Sequence, residues 1–200
     1  MKLFDFDGPL MTLLRKLWGI AAAGALFLIF CIPVITAGLS FTALYSVADK
    51  SLRNNRGYVF SVFMEAVKKN WRQALPAGAV LSAVLLVFEA DIRILHAFLE
   101  AGHAIGNMYV LIRIFQVLIV IYGIWVFAQV AVYENSMKQI LKNAVVLMVR
   151  HLLVSWAILL LLAFAAAVIW VMPVSVLIMP VVVTWLMTAL LEKVFAGYSS

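Results

Sequence analysis

Apolar positions in this chain come in long blocks. No residue is charged from Leu17 to Ala48, and none from Leu152 to Leu191. As single helices these blocks would reach about 48 Å and about 60 Å at 1.5 Å per residue. A hydrocarbon core is only about 30 Å thick, so each block is expected to fold back on itself. In the first, Pro33 cannot donate to the carbonyl four residues back, and Gly38 admits backbone angles that other residues avoid. Ser40 is placed to cap a following helix. Two helices are therefore expected to meet in a tight turn at Pro33–Gly38, deep in the membrane or just beyond it. In the second block Met172-Pro173 is the natural turn, and Pro180 is expected to kink the last helix.

The pattern predicts helices at about 9–32, 39–53, 76–95, 108–133, 152–171 and 174–196, the first opened by Asp7-Gly8-Pro9. The helix at 39–53 carries Ser40, Thr42, Tyr45 and Ser46 and is expected to face other helices, not lipid. Over 59–72, Phe60, Phe63, Val67 and Trp71 fall on one helical stripe, and Glu65, Lys68, Lys69 and Arg72 lie elsewhere. This predicts an amphipathic helix on the cytoplasmic membrane surface, separated from the next span by a break at Leu75, before Pro76. The expected class is an all-α polytopic integral membrane protein. Six membrane helices pair in three hairpins, with that surface helix between the first two.

Composition agrees. The 200 residues are 66% hydrophobic with a mean hydropathy of +1.11, where soluble domains are about half apolar. This leaves room for five or six spans and no soluble catalytic domain. The net charge of +6 sorts by side. With both termini inside, the inner face holds Lys2, Arg15, Lys16, Lys50, Arg53, Arg56, Lys68, Lys69, Arg72, Lys138, Lys142, Arg150 and Lys193. The outer face holds only Arg93 and Arg113. Reading 17–48 as one span breaks this sorting; the competing arrangement is an N-out protein with five spans. Basic residues so placed argue for positive-inside topology and against nucleic acid. The single Cys31 excludes an internal disulfide. The start is unlike a cleavable signal, because its apolar run is too long.

Little chemistry is written in the chain. Glu89, His96, Glu100 and His103 would share one helical face and could hold Zn²⁺, but Gly102 and Gly106 favour a solvated outer loop. Gln116 and Gln129 lie within a span, where interhelical hydrogen bonds are the expected role and a substrate path the alternative. No charge sits mid-span, which argues against a proton- or sodium-coupled carrier. No phosphate loop, Cys pair or nucleophile elbow occurs. The expectation is a non-enzyme without cofactor or metal.

Pro33-Val34-Ile35-Thr36-Ala37-Gly38, followed by Ala43-Leu44-Tyr45, resembles the signature of the YesL-like family of bacterial membrane proteins. Gly57-Tyr58-Val59-Phe60 and the segment with Phe63, Lys68, Lys69, Asn70 and Trp71 extend the resemblance over about residues 10–75. It implies one YesL-like transmembrane domain over 1–200 in the bacterial plasma membrane, and the sorting of basic residues sets both termini on the cytoplasmic side. It also implies an accessory role beside carbohydrate uptake systems, with the permease of an ABC transporter as partner. The site residues expected on these grounds are Pro33, Thr36 and Gly38 at the turn. For contact with a partner or lipid they are Phe60, Phe63, Lys68, Lys69, Trp71 and Arg72. The alternative is a small-solute channel or carrier working through the Pro33–Gly38 break. Neither reading fixes whether the chain self-associates.

Overall fold

A computed structural model describes residues 9–54 and 56–198, with side chains from Leu17 onward. The helix-start cluster at Asp7-Gly8 lies outside the described residues. Seven α-helices follow in order: α1 (Pro9–Cys31), α2 (Ala37–Val47), α3 (Val59–Glu100), α4 (Tyr109–Val132), α5 (Met137–Arg150), α6 (Leu152–Val171) and α7 (Met179–Ala196). Short 3₁₀ turns at Val34–Thr36, Ala104–Met108 and Pro173–Leu177 join α1 to α2, α3 to α4 and α6 to α7. Beyond Val47, α2 widens into a π-helical segment, Ala48–Arg53.

The hub is α2, packed against α1, α3, α4 and α7. Every residue from Gly38 to Val47 except Phe41 is buried. Its serine and threonine hydroxyls are consumed locally or by neighbours. Ser40 donates to Phe27 O at 2.9 Å across to α1, and Thr42 donates to Gly38 O at 2.9 Å, with Phe127 O of α4 at 3.5 Å. Ser46 donates to Thr42 O at 3.1 Å. Ser40 is therefore an interhelical tie inside α2 and not its cap, because the helix already starts at Ala37. At the far end Arg53 Nη1 meets Glu192 Oε2 at 2.6 Å, pinning the π-helical segment to α7.

One core joins α1, α2, the start of α3 and Val181. A larger one is built on α4, with Trp125 at its centre among Ile140, Ile158, Met187 and Phe195. Trp125 Nε1 donates to Ser155 Oγ at 3.1 Å, so the one polar atom of this large buried side chain is satisfied.

The chain is a multi-pass membrane protein. Among the described residues four helical segments are long and apolar enough to cross a bilayer: Val59–Glu100, Ala104–Val132, Leu152–Val171 and Met179–Ala196. The Leu17–Cys31 part of α1 is apolar but shorter, and α2 is an 11-residue helix enclosed by protein. Six spans thus exceeds what helix length and hydropathy support.

Three further expectations change. No separate surface helix exists at 59–72, and Leu75 is no break: α3 runs unbroken for 42 residues with Pro76 inside it. Its buried face, Val62, Phe63, Ala66, Asn70, Ala74 and Gly78, passes straight through that point. Pro76 forfeits one backbone hydrogen bond, and packing on both sides holds the helix together. Pro180 does not kink α7; it lies in the first turn, where a missing N–H costs nothing. The segment with Lys138 and Lys142 is itself a helix, α5, turning Ile140, Ala144 and Leu147 inward.

Candidate functional site

The Pro33–Gly38 turn is the meeting point of three helices. Pro33 is extended (φ −77°, ψ 116°) and the chain then tightens through Val34–Thr36 into α2. The Thr36 hydroxyl lies within hydrogen-bond reach of Phe30 O and of Pro33 O, the latter at 2.8 Å and already accepting from the Thr36 N–H at 2.9 Å. Gly38 is not left-handed. It lies within α2, and the positive-φ glycines are Gly57 and Gly102. Its requirement is steric: a Cβ there would lie 2.2 Å from the tip of the Phe127 ring. Gly78 of α3 is under the same constraint, since its Cβ would lie 2.8 Å from Ile35 O. Ser82, one turn on, donates to Val34 O at 3.1 Å. The sequence reading missed Gly78; the Ala74-x-x-x-Gly78 spacing was its signal.

Two polar levels bracket this crossing on α3 and α4. At one, Lys69 Nζ pairs with Glu134 Oε1 at 2.6 Å, and Gln73 donates to Asn135 O at 3.1 Å. The hydrogen bond and charge of Lys69 hold the exposed Glu134 carboxyl below the ordinary carboxylate range. At the other, Arg113 Nη1 lies 3.3 Å from Glu89 Oε2 and donates to Gln116 Oε1 at 2.6 Å. Gln116 Nε2 completes the set with Glu89 at 3.4 Å. Between Lys69 and Glu89 α3 rises about 30 Å, the thickness of a hydrocarbon core. Gly78 and Ser82, hence the turn they touch, fall between the two levels.

The stripe expected on 59–72 is rotated by one position. Phe63 is fully buried, its ring 5.3 Å from that of Phe30 in an edge-to-face contact. Phe60 and Trp71 are exposed, as are Lys68 and Arg72, and the Arg72 guanidinium lies 5.5 Å from the Trp71 ring centre. Lys69 is engaged by Glu134. The six contact residues therefore do not form one surface.

The candidate zinc face is dispersed. Glu89 belongs to the Arg113 set, the His96 ring lies 4.3 Å from that of Tyr109, and His103 lies past the end of α3 against Phe98. No group of three potential metal ligands occurs among the described residues. Gln116 bonds between helices, and buried Gln129 donates to Trp125 O at 3.4 Å within its own helix.

Residues 20–92 match the family model described as "Protein of unknown function, DUF624". The stretch that is similar to that family runs from α1 through the turn and along α3. No curated protein and no solved structure matches the chain.

Proposed function

We propose that this protein is a non-enzymatic accessory or scaffold subunit of the membrane, associated with a carbohydrate ABC-type uptake system. The observation that carries the subunit reading is the first third of α3. One face is locked into the core through Val62, Phe63 and Ala66, and the other presents Phe60, Lys68, Trp71 and Arg72 without protein cover. Aromatic groups on a rigid element beside cations suit a docking surface, where buried aromatics carry affinity and rim charges adjust rate. The YesL-like resemblance supplies the partner class, the permease of such a transporter, and a bacterial plasma-membrane location; the sorting of basic residues supports both termini being cytoplasmic.

The test is a native-detergent pull-down read by mass spectrometry. A permease should co-purify with the parent chain. A Phe60→Ala, Trp71→Ala double variant should lose it while expressing and inserting normally. Unchanged recovery from that variant would remove this surface from the interaction.

The second reading, a small-solute channel or carrier, draws on the non-helical turn between the two polar levels, the kind of broken helix that transporters use. Against it, the Gly38–Phe127 and Gly78–Ile35 contacts fill the space beside the turn. Solute flux in liposomes holding only this chain would restore that reading.

A further inference from the structure

We infer that the outer groove between α6 and α7 is a binding site for one anionic phospholipid, with its acyl chain along the groove and its phosphate at Lys193. The groove has a volume of about 410 Å³, within the range of small-ligand sites. Its walls are Leu160, Leu161, Leu186 and Leu190, and the small side chains of Ala157 and Ala189 leave the space between them. The single charged group in the lining is Lys193, in the last turn of α7.

The occupant follows from this asymmetry. Leu160 is 67% exposed, so the groove opens outward, where a membrane protein meets lipid. An alkyl chain matches the leucine walls, but an alkyl chain alone gives no use to the cation. Lys193 has no acidic partner within salt-bridge distance among the described residues. Its neighbour Glu192 is taken by Arg53 at 2.6 Å. The same end of the helix pair carries Arg150, whose guanidinium lies 5.6 Å from the centre of the Tyr198 ring and has no carboxylate within salt-bridge distance among the described residues. An unpaired ammonium at the end of an apolar trough complements a molecule with a long apolar tail and a negative head. The surrounding bilayer supplies such molecules at high local concentration. A transmembrane helix of another protein would fill the leucine walls but would bury Lys193 uncompensated, which is costly at membrane depth. A second copy would bring two Lys193 side chains to a shared interface.

The inference is independent of the accessory-subunit reading and is tested without any protein partner. The full chain is reconstituted in nanodiscs of mixed phosphatidylglycerol and phosphatidylcholine, released into mild detergent and examined by native mass spectrometry. The parent should retain phosphatidylglycerol over phosphatidylcholine by about fivefold, the ratio expected from one basic residue near a headgroup. Lys193→Ala should bring that ratio to about one while total retained lipid stays similar. Leu190→Trp, which fills the groove, should remove the retained lipid of both classes. Leu160→Trp on the opposite wall should do the same and serves if Leu190→Trp unfolds. Equal retention of the two lipids by the parent would overturn the inference, as would full retention by a folded tryptophan variant. So would a dimer mass that disappears in Leu190→Trp, which would give the groove to a second copy.

Discussion

Gly38 and Thr36 sit two residues apart, and different forces fix them. At Gly38 the constraint is a ring atom 2.2 Å from any added Cβ, so even alanine must push Phe127 aside. Overpacking of this kind costs about 1–3 kcal/mol. Thr36→Val removes a hydroxyl that donates to the carbonyls of the turn, worth about 0.5–1.5 kcal/mol. Gly38→Val is therefore expected to lower the thermal midpoint in detergent more than Thr36→Val. Gly38→Ala combined with Phe127→Leu should recover much of the loss, since the two positions share one space. Failure of that recovery would mean the glycine serves backbone geometry after all. Tyr45 gives the opposite sign. Its side chain is fully buried and its hydroxyl has no hydrogen-bond partner among the described residues. An unmade buried hydrogen bond costs about 1–3 kcal/mol, so Tyr45→Phe should leave stability unchanged or raise it. A clear fall in the thermal midpoint would show that the hydroxyl is satisfied by bound water.

At the scale of single helices, α3 separates what a sequence pattern can show from what it cannot. The turn at 33–38 and the α6–α7 fold-back were legible because charge-free blocks longer than a bilayer, and the prolines in them, force a reversal; the α3–α4 connection was legible from its polar residues and from Gly102 and Gly106. The register of 59–72 was not. Hydrophobicity picked Phe60, Phe63, Val67 and Trp71, but the face that packs is Val62, Phe63, Ala66, Asn70, Ala74 and Gly78. Inside a membrane the contact positions are marked by small size, because large apolar side chains are as content in lipid as in protein. The same reasoning explains α5, where Ala144 stands between Ile140 and Leu147 on the inward face and reads as neutral. The consequence is measurable. Phe63→Ala should destabilise the fold by about 3–5 kcal/mol, as truncating a buried Phe does. Phe60→Ala should fall within about 0.5 kcal/mol of the parent, as exposed substitutions do. Equal losses from the two would put α3 in a different rotation about its axis.

For the whole molecule, the two polar levels on α3 and α4 fix a ruler, and the first hairpin is measured against it. Glu89 with Arg113 and Lys69 with Glu134 stand about 30 Å apart. The Pro33–Gly38 turn meets α3 at Gly78 and Ser82, inside that interval. If the levels lie at the two membrane faces, the α1–α2 turn stops within the hydrocarbon, and Asn54 returns to the side where α1 began. Cysteine accessibility then separates three depths in one experiment, on a Cys31→Ala background. Asn107 is exposed in the turn between α3 and α4, and a cysteine there should react with a membrane-impermeant maleimide in intact cells. A cysteine at Asn54 should react only after the membrane is opened. One at Val34, 53% exposed on the protein surface, should react in neither condition, because a thiol in hydrocarbon forms no thiolate. Labelling of Val34 in intact cells would carry the turn through to the outer face. Labelling of Asn54 in intact cells would put the basic segment that follows α2 on the outer side, overturn the fold-back of residues 17–48 and favour five spans.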